Sequence, residues 1–445
     1  MALLVYNLLL ALLTPVIFPY LLFRLYSGKE DAAHWSERWG GLPDNVAADT
    51  RTPRFWVHAV SLGEVMAAVP VLRELRRRHP DAYILLSTTT VGGREVALKQ
   101  VPPADDVVYY PLDYAPVVKQ ALRSAQPDVV LLMEWEIWPN FLSAAKRQGA
   151  TVAVLNGRVS DKGLRRGQRA RFFTAPGLAA VDLFAMQSEE DARRAALVGA
   201  DPARVIAAGN TKFDESLTML TASERDALCA DLGIPAGVPV LICGSTRDEA
   251  DAGAPPEEAV IARAVSRLRE RFPNLFLIVA PRHLERADAV AAILEESGMR
   301  VRRRSAREPL PPSGGVNTLL LDTFGELGRA YAVADVAFIG GSLVRRGGQS
   351  VFQPLAQGVP ALFGPHMNNQ RDIAALSAAE GVGFLVADED AFVTEAARLL
   401  AMAPEEKEAL ARRARALIDR NQGVTARSLD AVEDAWRQRT GGGGR

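Results

Sequence analysis

Only two cysteines, Cys229 and Cys243, occur in 445 residues. That is too few for a disulfide framework or a four-sulfur zinc site. Five histidines are scattered and form no HExxH pair. An excess of one charge is also missing: 52 Lys and Arg against 53 Asp and Glu leave a net charge of −1, which argues against a nucleic-acid partner. No GxGxxG follows a strand-like run, and neither a Walker A loop nor a GxSxG elbow occurs. The one Asp-x-Asp string, Asp388-Glu389-Asp390, falls where a helix begins. Capping accounts for it, and a metal-dependent nucleotide-sugar site is not supported.

What is present is an ordinary globular composition, 48% hydrophobic and 24% charged, long enough for two or three domains at about 150 residues each. One strong asymmetry stands at the start. Leu3 to Phe23 carries no charge over 21 residues, close to the ~20 needed to cross a bilayer core as a helix. A basic segment before it and a small-x-small cleavage site after it are both missing, so an anchor is favoured over a signal peptide or a core helix. Pro15 and Pro19 are expected to kink this helix or leave it shallow. Arg24, Tyr26, Lys29, Trp35, Arg38 and Trp39 follow, residues suited to a membrane–water interface, and they put the bulk of the chain on the cytoplasmic side.

The body alternates short apolar runs with helical patterns. Strands are expected at Phe55–Val60, Tyr83–Thr88, Val107–Tyr110, Val129–Met133, Val152–Leu155 and Leu183–Gln187. After an irregular stretch near Asn210–Pro239 they resume at Val240–Cys243, Leu275–Ala280, Thr318–Leu321, Val336–Ile339, Ala361–Phe363 and Phe384–Val386. Such series predict an α/β chain with two doubly wound parallel sheets facing a cleft, with ligands beyond the carboxyl ends of the strands. The expected divisions are 1–26 anchor, 27–215 first domain, 216–238 linker, 239–404 second domain and 405–440 helices packing back on the first. A flexible Gly-rich tail ends the chain.

Four constellations carry chemistry. In the first, the string His58-Ala59-Val60-Ser61-Leu62-Gly63-Glu64 ends a strand and opens a helix, so Glu64 is expected to be ionised by the helix N-terminus and able to take a proton from a hydroxyl. A plain dipole role is the alternative. In the second, Glu134 and Glu136 lie among Trp135 and Trp138 after another strand, and burial between indoles requires that they be hydrogen-bonded or open to a ligand. Third, Arg158, Lys162, Arg165, Arg166, Arg169 and Arg171 make a basic stretch, followed by Phe172 and Phe173, that suits anionic lipid or a phosphorylated acceptor as well as a plain solvated face. Last, three strand-end loops converge in the second half: Arg282 and His283; Gly325, Glu326 and Leu327; Gly341 and Ser342 with Gly347 and Gly348. Glycine backbone, a helix start and an arginine together suit a nucleotide phosphate.

Ordered strings along nearly the whole chain resemble the 3-deoxy-D-manno-octulosonic acid (Kdo) transferases of lipopolysaccharide synthesis. They include Arg38-Trp39-Gly40, HAVSLGE (His58–Glu64), TTTVGG (Thr88–Gly93), MEWEIWPN (Met133–Asn140), NGRVSDK (Asn156–Lys162), QSEEDARR (Gln187–Arg194) and GNTKFD (Gly209–Asp214). GSTRDE (Gly244–Glu249), PRHLER (Pro281–Arg286), Asp322–Val344 and GPHMNNQRDI (Gly364–Ile373) continue the series. The resemblance implies a GT-B glycosyltransferase at the cytoplasmic face of the inner membrane, inverting, without cofactor or catalytic metal. CMP-Kdo is the implied donor and a lipid A precursor the implied acceptor. It makes Glu64 the general base and places Ser61, Gly63, Glu134, Glu136, Arg158 and Arg165 on the acceptor side. Lys212, Ser245, Thr246, Arg282, His283, Gly325, Glu326, Leu327, Gly341, Ser342, Gly348 and Gln353 fall on the donor side. The chain departs from the family pattern at Ser350 and Gln353, where the family has Asn and Glu, and at Arg247, where it has His. A UDP-sugar transferase, an epimerase of the same architecture and a homologue that has lost catalysis are the competing readings.

Overall fold

The structure is a computed structural model that describes residues 1–27, 30–100, 103–214, 220–248, 255–306 and 317–441. Lys29, Glu249 and the tail residues 442–445, each part of an expectation above, lie outside the described residues. The chain divides into two compact units, Met1–Glu215 with Asn421–Arg445, and Ser216–Arg420.

In the first unit seven strands form one parallel sheet. They are β1 (Arg54–His58), β2 (Tyr83–Thr88), β3 (Asp106–Tyr109), β4 (Val129–Met133), β5 (Thr151–Gly157), β6 (Leu183–Met186) and β7 (Val205–Ala207), in the order β3-β2-β1-β4-β5-β6-β7. Alternate residues feed two cores. Trp56, Val130, Leu132, Val152 and Val154 pack on one face, and Phe55, Val57, Val129, Leu131 and Leu155 on the other. Burial on both faces is why these strands read as continuous apolar runs rather than alternating ones. The order reverses between β1 and β4. The helix start after β1 carries Glu64 and the loop after β4 the Glu134–Glu136 pair, so a topological switch point, where such sheets bind ligands, gathers all three acids.

The second unit repeats the plan with β8 (Val240–Thr246), β9 (Phe276–Pro281), β10 (Val301–Arg303), β11 (Thr318–Leu320), β12 (Val336–Ile339), β13 (Ala361–Phe363) and β14 (Gly383–Leu385). Their order is β10-β11-β9-β8-β12-β13-β14, all parallel, and the switch point lies between β8 and β12. The two strands absent from the sequence reading, β7 and β10, are three-residue edge strands without fully buried residues, so no continuous apolar run marks them.

Seven helices matter below. They are α1 (Ala2–Tyr26), α2 (Leu62–Arg78), α3 (Asp161–Ala180), α4 (Ala222–Leu232), α5 (Glu257–Arg271), α6 (Pro404–Asn421) and α7 (Val424–Gly441). α1 is continuous through Pro15 and Pro19. In α2 the buried residues Val65, Ala68, Leu72 and Leu75 recur at helical spacing, and Arg76, Arg77 and Arg78 close its last turn, where cations suit the helix dipole.

Two expected divisions change. The stretch 216–238 is not a plain linker, because it holds α4. A capping box between Thr221 and Glu224 starts that helix, left-handed Gly233 ends it, and Leu228 and Leu232 sink into the second unit's core. The C-terminal helices also part company: α6 belongs to the second unit, while α7 packs on the first through Val424, Leu429 and Val432 and through Arg78 bonded to Asp430 at 2.7 Å.

Candidate functional site

Ser61 has extended backbone and ends the loop after β1, and α2 begins at the next residue. Glu64, in the first turn, turns its carboxylate back on that loop. Its Oε2 accepts the Val60 N–H at 2.8 Å and its Oε1 accepts the Ser61 hydroxyl at 3.0 Å. Among the described residues no cation pairs with it. Burial first, then the charges of Glu134 and Glu136, push its carboxyl up to about 7 against the two hydrogen bonds. Desolvation and like charge thus oppose the helix N-terminus that was expected to keep Glu64 ionised, and the group titrates near neutral pH. Gly63 is exposed, and a Cβ there would come no nearer than 3.9 Å to any heavy atom beyond its chain neighbours, that atom being Ser61 Oγ.

After β4 the chain turns sharply. Glu134 takes φ +59°, a left-handed conformation rare outside glycine, and its N–H is bonded to Leu155 O at 2.9 Å. Backbone strain of this kind clusters at functional sites. Glu136 accepts the Trp138 indole N–H at 2.9 Å, and burial, then the charge of Glu134, raise its carboxyl to about 7. Both carboxylates are half-buried.

Arg158 is half-buried just past β5, and Arg165 is exposed on α3. Lys212 lies in the 3-10 turn Thr211–Asp214 of the first unit, and among the described residues its ammonium meets no acid. Arg38, expected at a membrane interface, is instead buried, 3.1 Å from Glu30.

At the second switch point the cations gather. Arg247, at the end of β8, donates to His283 Nε2 at 2.9 Å. Burial first, then the charges of Arg346 and Arg282, lower the pKa of its guanidinium, and its Nε is buried without a hydrogen-bond partner among the described residues. His283 is held below its usual pKa by burial and by Arg247. Arg282 is exposed and, among the described residues, has no acidic partner. Ser245 has φ +56° and a half-buried side chain with no hydrogen bond among the described residues. Gly325 has φ +88°, with open space where a Cβ would stand. Among the described residues nothing accepts from the N–H groups of Gly325, Glu326 and Leu327. The Glu326 carboxylate is taken by Arg304 at 2.9 Å. Gln353 is half-buried and its amide makes no hydrogen bond among the described residues.

Four residues expected to touch the donor are engaged inside the fold. The carboxylate of Glu257, fully buried at the start of α5, accepts the N–H groups of Gly341 at 2.6 Å, Ser342 and Leu343 at 3.0 Å, and Arg247 at 2.9 Å. The glycine loop already cradles an anion, and that anion is a side chain. Ser342 is itself buried, and its hydroxyl accepts from Gly364 N–H at 2.8 Å. Gly348 donates its N–H to Gly341 O at 2.7 Å, and a Cβ there would meet Met367 Sδ at 2.3 Å. The Thr246 hydroxyl donates to buried Glu258 at 2.6 Å. These four hold the loop's shape.

A family model described as 3-deoxy-D-manno-octulosonic-acid transferase matches residues 33–215. The 3-deoxy-D-manno-octulosonic acid transferase of Bordetella pertussis is 33% identical over 442 residues, covering 97% of this chain and 98% of that protein. The chain belongs to the Kdo transferases. It is therefore a glycosyltransferase. The Haemophilus influenzae Kdo transferase is 28% identical over 390 residues, 85% of this chain and 86% of that one. A UDP-GlcNAc 2-epimerase structure from Neisseria meningitidis superposes with a TM-score of 0.59 over 85% of this chain and 99% of that chain, at 14% identity, a likeness that bears on the GT-B fold alone.

Sequence reasoning about this Kdo transferase missed two groups. Glu257 gave no signal beyond an acidic first turn, because three of its four partners lie 84 to 86 residues away at the loop after β12. Arg346 stands beside the glycines that drew attention, and its bond to the Asp248 carbonyl at 3.0 Å was not readable from spacing.

Proposed function

We propose that this chain transfers Kdo from CMP-Kdo to a lipid A precursor at the cytoplasmic face of the inner membrane, inverting the anomeric carbon, with Glu64 as general base. The observation that supports this most is a half-buried carboxylate at a topological switch point, titrating near 7 and free of any salt bridge among the described residues. A base works best when its pKa lies near the working pH. As the acceptor hydroxyl attacks, its proton passes to the ionised Glu64, whose two oxygens are held by Val60 N–H and the Ser61 hydroxyl. The negative charges of Glu134 and Glu136 raise the proton affinity of that carboxylate and so strengthen the base.

The donor side is read from the second unit. CMP-Kdo carries a phosphate and a carboxylate, and the crowded cations Arg247, Arg282 and Arg346 face, among the described residues, Asp248, 3.7 Å from Arg346, and Glu257, which is already bonded to the glycine loop. An anion relieves that crowding, and charge-assisted hydrogen bonds to it stabilise the departing phosphate. Ser245 and the open N–H groups of Gly325, Glu326 and Leu327 supply further donors. Gln353 offers a neutral acceptor for a ribose hydroxyl. Arg158 and Arg165 meet acceptor phosphates. No step assigned here requires a metal ion.

Purified protein with CMP-Kdo and lipid A precursor, followed by product mass spectrometry, tests the whole reading. Addition of one or more Kdo masses with CMP release is expected. Transfer from a UDP-sugar instead, or CMP release with no change in lipid mass, would overturn it.

A further inference from the structure

The first helix does not stand away from the body. Its half-buried residues Leu3, Asn7, Leu10, Thr14, Ile17 and Leu21 recur every three or four positions, so one stripe faces the first unit along the whole length. Polar bonds fix that stripe. Tyr6 donates to Asp113 at 2.9 Å, Asn7 and Asn140 exchange bonds at 2.9 and 2.8 Å, and Thr14 meets the Tyr114 hydroxyl at 3.1 Å. Phe18 stands edge-on to Trp39, and Arg24 pairs with Glu30 at 2.9 Å. From Tyr6 to Arg24 these contacts cover about 27 Å of helix. The opposite stripe, Leu4, Leu8, Leu12, Val16 and Phe23, is exposed, Leu12 by 74%.

A helix crossing a bilayer would use a similar length to traverse the ~30 Å hydrocarbon core. Here that would carry the body packed along it into the lipid, including the exposed Lys162, Arg165, Arg166, Arg169 and Arg171 of the neighbouring helix α3. Charged and polar groups of this kind are excluded from lipid-facing positions. Asp113 is already committed: it caps the helix Pro139–Arg147 by accepting the N–H groups of Asn140 and Phe141 at 3.0 and 2.8 Å.

We infer that α1 lies in the plane of the membrane surface, its Leu4–Leu8–Leu12–Val16–Phe23 face sunk in lipid and its other face bonded to the first unit. The occupant of that face is an anionic lipid surface. The run has a mean hydropathy of 2.1. The helix packed beside it, α3, exposes Lys162, Arg165, Arg166, Arg169 and Arg171, none with an acidic partner among the described residues. An apolar helix face flanked by unpaired cations is the pattern of interfacial binding to anionic headgroups. This takes the shallow arrangement that Pro15 and Pro19 left open, and it rests on the membrane association proposed above. The Asp113 clamp also ties the helix to the segment that follows Glu134 and Glu136, so lipid contact and the acidic loop share one set of bonds.

The test uses the full chain with Cys229→Ser and single cysteines at Leu4, Leu12 or Phe23, each carrying an NBD fluorophore. The protein is added to preformed phosphatidylethanolamine–phosphatidylglycerol vesicles. All three probes are expected to be quenched by the same shallow brominated lipid and to be reduced alike by external dithionite. Protection of the probe at position 4, with deepest quenching at position 12, overturns the in-plane arrangement and leaves membrane association standing. Failure to bind vesicles at all, including self-association through this face, overturns both. Leu12→Glu should weaken vesicle binding by roughly tenfold or more with CMP binding and melting temperature kept; unchanged vesicle binding counts against the lipid-facing assignment.

Discussion

Both units place a glutamate in the first turn of the helix that follows the first strand of the sheet, Glu64 after β1 and Glu257 after β8. The positions match and the outcomes differ. Glu257 is fully buried and receives four backbone N–H groups, three of them from the glycine loop after β12. Glu64 is half-buried, receives one N–H and one hydroxyl, and feels two neighbouring carboxylates. One is spent on holding a loop, and the other keeps proton affinity and access. Their surroundings divide the same way: acids collect at the first switch point and arginines at the second. A single topology thus supplies one edge suited to taking a proton and another suited to holding an anion.

Glu64→Gln breaks the comparison most directly. It keeps the shape and an acceptor for Val60 N–H but removes the base. Turnover at pH 8 is expected to fall by about 10²–10⁴, with CMP affinity unchanged in calorimetry. Turnover within threefold of the parent would sink the base assignment. The matching change in the other unit, Glu257→Gln, should act on stability. An amide nitrogen facing the donors of Gly341, Ser342, Leu343 and Arg247 leaves N–H opposite N–H in a buried site. A loss of about 3 kcal/mol in urea unfolding is expected, with weaker CMP binding. A loss under about 1 kcal/mol would show that the loop stands without it.

Stability and activity should oppose each other at Glu64. An unfolded glutamate titrates at about 4.3, whereas the folded group is raised to about 7. Between those values the folded chain holds a proton that the unfolded chain has released. The site's contribution is therefore complete below about 4.3 and is lost as pH rises through about 7. Glu64→Gln, which never ionises, is expected to be more stable than the parent at pH 8 by on the order of 1–2 kcal/mol and close to it at pH 4. Thermal melts at the two pH values decide this, and equal differences at both would contradict the raised carboxyl.

Much of this was legible in the sequence, for identifiable reasons. Parallel strands buried on both faces announce themselves as apolar runs, so β2, β4, β12 and β13 fall where the runs do. Glu64 and the Glu134–Glu136 pair were singled out because an acid soon after an apolar strand stands out. Partnership across long separations was hidden. Nothing near Gly341 says that its N–H is already bonded to Glu257, and nothing in α4 says that a segment between domains folds onto a core. The packing of Leu3–Phe23 against the first unit was hidden as well, because Asn140 and Tyr114, the partners of Asn7 and Thr14, are distant in sequence.

The finest test separates the neighbours of Glu64. Glu134 contributes more than Glu136 to raising its carboxyl, and Glu136 itself titrates at about 7, so it is partly neutral while Glu64 titrates. The acid limb of kcat/KM should therefore have a midpoint near 7 that belongs to the coupled pair. Glu134→Gln removes a charge from both members and should move that limb down by about one pH unit. Glu136→Gln should move it less. Because a weaker base is a poorer proton acceptor, the plateau rate of Glu134→Gln should also fall modestly. A limb that stays in place in Glu134→Gln would mean that burial alone sets the proton affinity of Glu64, and a larger shift in Glu136→Gln would reverse the ranking of its two neighbours.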